Sequence, residues 1–355
     1  MKRLMSGNAA LGEAAVLAGC TCYFGYPITP QNELTEYMAK RMPEAGGIFI
    51  QSESEIAAIN MVLGASVAGA RAMTSSSSPG MSLKQEGISY LAADELPAVI
   101  VDMVRGGPGM GNISPAQSDY MQATRGGGHG DYKTIVLAPG SVQELTEIVP
   151  LAFDLADQYR NPVIILGDGM LGQMMEPVSF DDIKPPKVYQ KDYVLTGALG
   201  RPSRMVRSLL FDTKEEEEHN WKLFRKYQRI EQNEVRYESY MLDDAEMVAI
   251  AYGIGARIVK GAIKRLRQDN LKIGMIRPIT LWPFPSKVIK EIANKVTDFF
   301  VFEMSAGQMI EDVRLSLEGR GRIHFYGRPG GVIPTPIELY RIISRHYYQA
   351  RRREK

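Results

Sequence analysis

From residue 22 onward, short apolar or β-branched runs alternate with segments of helical periodicity. The runs at 22–26, 48–51, 72–75, 98–104, 134–138 and 163–166 read as strands, and each is followed by a helical pattern. That rhythm belongs to a parallel sheet covered by helices on both faces. Helix starts are marked as well: in Ser141-Val-Gln-Glu144 a serine and a glutamate stand three residues apart, the spacing at which each satisfies the other's end of the first turn. After Leu166 the texture changes, with Pro177, Pro185-Pro186, Gly197, Gly200 and Pro202 marking a meandering connector. A long helix follows the acidic run Glu215 to Glu218, with Trp221, Phe224, Tyr227 and Ile230 at helical spacing. Two placements suit it, packed on its own chain or laid as an arm on a partner subunit. Alternation resumes with strands at 247–252, 272–276, 299–302 and 323–326, and a last helix opens at Thr335-Pro-Ile-Glu338. The expected fold is α/β, with two helix-covered, mainly parallel sheets in domains 1–178 and 245–355 and a connector at 179–244.

Length and charge narrow the function. The 355 residues suffice for two domains that each bury a core. With 42 Lys and Arg against 41 Asp and Glu, the net charge of +1 offers no strong field to nucleic acid or to an anionic membrane. No stretch approaches the ~18 to 20 uninterrupted apolar residues of a membrane span. Lys2-Arg3 and the Ala-rich run after it imitate a secretory signal, but Gly7, Gly12 and Glu13 interrupt that run, so it reads as a helix of the mature protein in a cytoplasmic setting. Cys20 and Cys22 cannot supply the four thiolates of an iron–sulfur cluster, and as free cysteines they suit a packing role. The tail Arg351-Arg-Arg353-Glu-Lys355 reads as a solvated basic end.

Most familiar catalytic patterns fail on spacing. Gly253-Ile-Gly255 has Ile258 where a dinucleotide fold needs its third glycine, and Gly106-Gly-Pro-Gly-Met-Gly111 lacks the lysine of a phosphate loop. His129, His219, His324 and His346 are scattered, without metal-ligand spacing. Ser75 to Ser78 is not a nucleophile elbow and reads as a hydrogen-bonding turn. Gly167-Asp168-Gly169 resembles the start of the thiamine diphosphate signature, yet the next asparagine is Asn220, far from the ~25 to 30 residues at which the second Mg²⁺ ligand belongs. Alone, this chain does not read as a holder of a diphosphate and its metal. What remains is the stretch from Gln51 through Glu55 to Gly64, a strand end turning into a small-residue helix. Taken by itself, an acid in that first turn merely complements the helix dipole.

The segments Gly25-Tyr-Pro-Ile-Thr-Pro30, 51–64, 75–80, Arg105-Gly-Gly-Pro108, Gly126-Gly-Gly-His-Gly-Asp-Tyr132, Arg277-Pro-Ile-Thr280 and Phe302-Glu-Met-Ser-Ala-Gly-Gln308 occur in order along nearly the whole chain. Together they resemble the alpha subunit of 2-oxoacid:ferredoxin oxidoreductases, in particular the short branched-chain type acting on 3-methyl-2-oxobutanoate (2-oxoisovalerate). The resemblance implies a pyrimidine-binding-like thiamine diphosphate domain at 1–178 and a transketolase C-terminal-like domain at 245–355. It further implies a beta subunit that carries the diphosphate and Mg²⁺, with iron–sulfur clusters on partner subunits, a gamma and a ferredoxin-like delta chain among them. Glu55, nine residues before Gly64, matches the family's catalytic glutamate, whereas Glu53 is two residues off. Such a carboxyl, hydrogen-bonded to the pyrimidine N1′, favours the imino tautomer that removes the thiazolium C2 proton. Tyr26, Pro27 and Ile28 fall beside the cofactor by the same resemblance, and Thr29 and Arg105 match positions that hold the substrate carboxylate. Taken without the resemblance, Thr29 is a strand-end turn and Arg105 a surface ion pair.

The implied reaction decarboxylates a 2-oxoacid, passes two electrons singly toward ferredoxin and gives the acyl group to coenzyme A. The long Gly-rich segment 105–132 is expected to cover the site. Its sequence from Asn112 to His129 looks more like the branched-chain than the 2-oxoglutarate type. Two further readings stand beside this one: a non-catalytic assembly subunit that keeps the fold for docking, and a self-contained transketolase-type transferase, the weaker for lack of the diphosphate-binding half.

Overall fold

The computed structural model describes residues 2–353. The chain opens on β1 (Arg3–Ser6), which pairs antiparallel with β8 (Met175–Val178). Ser6 then caps α1 (Gly7–Leu17), accepting a hydrogen bond from Ala9 N at 3.3 Å. The opening segment is therefore a strand and then a helix, where periodicity alone suggests only a helix. Four residues on an edge give too little alternation to read, and their partner lies some 170 residues away.

Seven strands form the first sheet: β2 (Cys22–Gly25), β3 (Ile48–Gln51), β4 (Ala72–Ser76), β5 (Ala98–Val104), β6 (Ile135–Leu137), β7 (Pro162–Asp168) and β12 (Thr280–Trp282). Their spatial order is β12-β6-β7-β5-β4-β2-β3, parallel throughout except for β12 at the edge. Every residue of β2, β4, β5 and β7 is buried, because α1, α2 (Asn32–Glu44), α3 (Glu55–Val67), α4 (Ser78–Ala93), α5 (Tyr120–Arg125), α6 (Val142–Tyr159) and α7 (Gly169–Gln173) cover the sheet. The chain runs from β2 outward to β3 and then returns to β4 on the other side of β2. A crevice opens at such a reversal, outside the carboxyl ends of the strands, because the two loops leave in opposite directions.

The second sheet contains β9 (Tyr237–Tyr240), β10 (Met247–Ile250), β11 (Ile273–Pro278), β13 (Asp298–Glu303) and β14 (Arg322–Gly327), in the order β14-β13-β10-β11-β9 with β9 antiparallel. Around it lie α9 (Gly253–Gln268), α10 (Ser286–Ile292), α11 (Met309–Leu317) and α12 (Pro336–Arg353). In the stretch 302–308, the buried Glu303 carboxylate caps α11, accepting from Gln308, Met309 and Ile310 N at 2.9, 3.0 and 3.0 Å. Arg351 turns back to Glu246 at 2.8 Å, so the tail is not wholly solvated, while Glu354 and Lys355 lie outside the described residues.

Two local expectations change. Ser141 does cap α6, accepting from Glu144 N at 3.1 Å, but the Glu144 carboxylate bonds Gly140 N at 2.7 Å and grips Arg277 with both oxygens at 2.8 and 2.9 Å. The glutamate thereby ties the first unit to the second as well as closing the turn. The helix α8 (Thr213–Asn233) buries Leu223, Lys226, Tyr227 and Ile230 on its own chain, while Trp221 and Phe224 stay about half exposed. His219 reaches Ala93 O at 2.8 Å, and Lys226, buried beside Glu95, bonds Arg160 O at 3.1 Å. These anchors rotate the inward face by one position from the aromatic stripe. Cys20 and Cys22 are buried and free, and burial pushes the Cys20 thiol up to about 12, as expected for inert packing thiols.

Candidate active site

The turn leaving β2 is locked from behind. Tyr23, buried in β2, shares a hydrogen bond with Ser75 at 2.5 Å and another with Thr35 at 3.1 Å. Ser75 donates to Gln31 Oε1 at 2.5 Å, leaving Thr35, 3.2 Å from the same oxygen, to donate either there or to Tyr23, and Gln31 Nε2 reaches Tyr26 O at 3.2 Å. Burial pushes the Tyr23 hydroxyl up to about 12, so the network stays neutral and intact across ordinary pH. It fixes residues 26–30 over the crevice, with Tyr26, Ile28 and Thr29 half-buried and Pro27 exposed.

Across the crevice, Ser54 caps α3 by accepting from Ala57 N at 3.2 Å, and Glu55 follows as the first helical residue. Its side chain is only 5% exposed, whereas Glu53 faces solvent. One wall of its pocket is Gly80 of α4, where a β-carbon would stand 2.5 Å from Glu55 Oε1 and 2.1 Å from Ser76 Oγ. A side chain there would displace both atoms. Behind the helix start, the fully buried Lys84 donates to Thr74 Oγ1 at 3.0 Å and to the Glu55 carbonyl at 3.4 Å.

Arg105, at the end of β5, is 7% exposed and is no surface ion pair. Nη1 donates to Thr29 O at 2.9 Å and Nη2 to Met110 O at 3.0 Å, so the guanidinium clamps the 26–30 turn to the 106–113 loop. Arg105 Nε is left without a partner, as are the buried hydroxyls of Ser76 and Ser77. Unpaired polar atoms of this kind, at the carboxyl ends of β4 and β5, mark a surface built to meet a polar ligand. Thr29 contributes its hydroxyl to the same rim, where Asn32 Nδ2 lies 3.4 Å away.

The segment 105–132 lies on α4, the helix that carries Gly80 and Lys84. Arg105 N donates to Ser78 Oγ at 3.0 Å, Gln122 Nε2 to Ser82 Oγ at 3.0 Å, and Gly127 N to Gln85 Oε1 at 2.9 Å. Gly111 makes the tight return possible: its φ is +58°, and a β-carbon there would stand 1.7 Å from Gly106 O. Further along, the Gln117 side chain joins Met304 N at 2.9 Å and Tyr252 O at 3.0 Å, pinning the segment to the ends of β13 and β10. Beneath it, burial raises the carboxyl of Asp102 well above the usual range, and its neighbour Asp119 raises it further. Burial raises Asp119 too. His129 and Asp131 are exposed at the far end of the segment.

Asp168 does not aim at a metal. Its Oδ1 caps α7, accepting from Met170 and Leu171 N at 2.9 and 3.0 Å, and burial pushes its carboxyl up to about 7. Among the described residues, no group of three or more His, Cys, Asp or Glu side chains is placed to hold a metal ion, and no helix is long and apolar enough to cross a membrane.

Lys84 and the Asp102–Asp119 pair escape a reading by motif. A signal for Lys84 exists nonetheless: it shares a helical stripe with Met81, Ile88 and Leu91, a place where a solvated lysine does not belong.

Comparison with known proteins gives a consistent assignment. The family described as "Pyruvate flavodoxin/ferredoxin oxidoreductase, thiamine diP-bdg" matches residues 13–241, and "Pyruvate:ferredoxin oxidoreductase core domain II" matches 245–339. A ketoisovalerate oxidoreductase subunit VorB of Methanothermobacter marburgensis is 50% identical over 97% of this chain and 96% of its own length. A 2-oxoglutarate synthase subunit KorA of Methanocaldococcus jannaschii is 36% identical over 96% of this chain and 98% of its own. The solved 2-oxoglutarate:ferredoxin oxidoreductase of Magnetococcus marinus, with 2-oxoglutarate, coenzyme A and succinyl-CoA bound, superposes with a TM-score of 0.87 at 29% identity. It covers 98% of this chain, which spans 65% of that one. A split-gene transketolase in an inactive beta4 tetramer, at 14% identity and a TM-score of 0.60, shares the fold.

Proposed function

The chain belongs to the pyruvate flavodoxin/ferredoxin oxidoreductase family, and from that premise we propose that it is the alpha-type subunit of a 2-oxoacid:ferredoxin oxidoreductase that prefers a branched-chain acid, 2-oxoisovalerate. The observation that carries this reading is the Glu55 carboxyl, shielded from water on the first turn of α3 at the sheet's reversal point and beside the unpartnered hydroxyl of Ser76. Thiamine diphosphate, when bound, supplies the carbon nucleophile and the electron sink that 2-oxoacid decarboxylation needs. Glu55 holds and returns a proton at the pyrimidine N1′, a transfer favoured by its dry pocket and by the rigidity of a capped helix start. Tyr26, Pro27 and Ile28 form the wall beside the ring. The Thr29 hydroxyl and Arg105 Nε orient the substrate carboxylate, a task suited to a fixed donor fork.

The rest of the cofactor site lies on a beta subunit in this reading. In support, this chain's Gly-Asp-Gly aspartate caps a helix through Oδ1, and exposed apolar side chains lie on the elements that build the crevice: Ile50 on the edge strand β3, Ile56 on α3, Leu83 on α4, Met110 and Ile113 on the loop. An apolar collar around a polar site suits a partner that closes over it. Iron–sulfur clusters and the exchange with ferredoxin belong to further subunits, gamma and delta chains, in a cytoplasmic complex with coenzyme A as acyl acceptor.

The test is the co-expressed complex, assayed with 2-oxoisovalerate, 2-oxoglutarate and pyruvate in turn, each with coenzyme A and a low-potential acceptor. The highest kcat/KM is expected for 2-oxoisovalerate. Glu55→Gln in that complex is expected to lower turnover by about 10²-fold or more, with Glu53→Gln near wild type. Preference for 2-oxoglutarate would overturn the substrate assignment, and an unimpaired Glu55→Gln complex would leave only an assembly role.

A further inference from the structure

A buried ammonium needs an opposite charge, and the two hydrogen bonds of Lys84 run to uncharged oxygens, Thr74 Oγ1 at 3.0 Å and the Glu55 carbonyl at 3.4 Å. The first turn of α3 adds no compensation, because a helix start carries positive, not negative, partial charge. Its hydrogen bonds reach β4, through Thr74, and α3, through Glu55; the charge that acts on it is the Glu55 carboxylate. Both groups are shielded from water, so their mutual effect is far larger than that of a surface pair. Gly80, one turn before Lys84 on α4, lets the two helices approach closely enough for both contacts.

We propose that Lys84 is a positioning residue for Glu55: its ammonium anchors the first turn of α3 through the Glu55 carbonyl and serves as the buried counter-charge that keeps the carboxylate a ready proton partner. The inference rests on the reading of Glu55 as the proton-transferring group. Lys84 touches neither substrate nor cofactor and acts through Glu55. Where the ammonium is present, the first turn of α3 is held and the Glu55 side chain has a buried counter-charge; where it is lost, both supports go and proton transfer at Glu55 slows. Burial pushes Lys84 down to about 7, which brings the loss of its charge into the working range of pH.

The experiment compares wild type, Lys84→Met, Lys84→Arg and Glu55→Gln in the co-expressed complex, reading hydrogen–deuterium exchange at the thiamine C2 by quenched NMR from pH 5.5 to 9. Wild type is expected to show an alkaline fall with a midpoint near 7. Lys84→Met should be slower by about tenfold or more below that midpoint and should lack the fall, whereas Lys84→Arg should move it above pH 9. A second readout is independent of turnover: the thiamine diphosphate dissociation constant by fluorescence quenching, expected to change less than threefold in Lys84→Met. If Lys84→Met keeps the wild-type profile while Glu55→Gln is inactive, the inference falls and the reading of Glu55 stands. If Glu55→Gln exchanges at the wild-type rate, that reading falls first. A Lys84→Met complex that neither assembles nor binds the cofactor, with Lys84→Arg equally impaired, would make Lys84 a packing residue and overturn the proposal.

Discussion

Adding one methyl group at Gly80 tests the pocket without touching any group that does chemistry. A β-carbon there stands 2.5 Å from Glu55 Oε1, 2.9 Å from Glu55 Cγ and 2.1 Å from Ser76 Oγ, while ordinary contact begins near 3.4 Å. Ser76 can swing its hydroxyl aside by rotating χ1, but the glutamate must retreat by the difference of 3.4 and 2.5, about 0.9 Å. A displacement of ~1 Å in a group that must meet a ring nitrogen costs about 10²-fold in rate. Overpacking costs ~1 to 3 kcal/mol, partly offset by the ~1 kcal/mol that alanine gains over glycine in a helix. Gly80→Ala should therefore fold and assemble with a melting temperature within a few degrees of wild type, yet lose about 10²-fold in thiamine C2 exchange and in 2-oxoisovalerate turnover. Exchange within threefold of wild type in a stable Gly80→Ala complex would refute the idea that the position of the Glu55 carboxylate controls the reaction.

Other predictions follow from the same contacts. Arg105→Lys keeps the charge but cannot span Thr29 O and Met110 O with one planar fork, so KM for the 2-oxoacid should rise about tenfold and limited proteolysis should speed up within 106–113. Lys84 makes stability climb with pH: its folded-state pKa, about 7 against an ordinary 10.5, means that the unfolded chain binds more protons between those values. Its burial cost is thus fully present below pH 7 and fades toward 10.5, with a slope of up to ~1.4 kcal/mol per pH unit that urea titrations of Lys84→Met at pH 7, 8 and 9 should lack. Arg277→Met removes the ion pairs to Glu144 and Glu238, each within 2.9 Å of the guanidinium, and leaves Glu238 with Lys260 and Glu144 with Gly140 N, so it should cost ~1 to 3 kcal/mol in urea unfolding; a change below 0.5 kcal/mol would show that the two units are held together by other contacts.

The parts of this fold legible in its sequence are those where local pattern and tertiary role agree. Strands buried on both faces, such as β5 and β7, leave continuous apolar runs that stand out between Gly and Pro. Short strands leave no such trace: β12 has three residues, and its partner β6 lies about 140 positions earlier, so its membership in the first sheet is decided by packing alone. The same holds for α8, where aromatic spacing marks Trp221 and Phe224 for burial but Leu223 and Lys226, paired with Glu95, take the inward face. At the site, Glu55 is legible only through its spacing to Gly64 within a resemblance, because an acid on a helix's first turn is common for dipole reasons. The lock behind the 26–30 turn joins Tyr23, Gln31, Thr35 and Ser75, types that sequence treats as ordinary polar residues and whose convergence depends on β2 and β4 being neighbours.

Where this molecule departs from full satisfaction of its polar core is informative about what it is built to do. Away from the crevice, several buried charges are well answered: Glu303 accepts three backbone N–H groups, Arg277 pairs with two carboxylates, and Asp168 Oδ1 accepts from two helix-start donors. Around the carboxyl ends of β4 and β5 the chain instead keeps a buried lysine without a hydrogen-bonded counter-ion, two neighbouring buried aspartates whose carboxyls burial raises, and unpartnered atoms on Ser76, Ser77 and Arg105. Each departure costs on the order of 1 to 3 kcal/mol, and none is needed to hold the sheet, whose strands are already paired and covered. Unpartnered buried atoms also occur elsewhere, on Asp94, Asn161, Tyr193, Tyr227, Arg328 and His346, but three of them gather at these strand ends beside a buried lysine, and that concentration points to binding and proton transfer as its compensation. It follows that substitutions there that satisfy the core better, such as an apolar residue at Ser77, should raise the melting temperature of the isolated chain while lowering turnover of the complex. Were such variants to lose stability and activity together, these polar groups would belong to the scaffold and not to the chemistry.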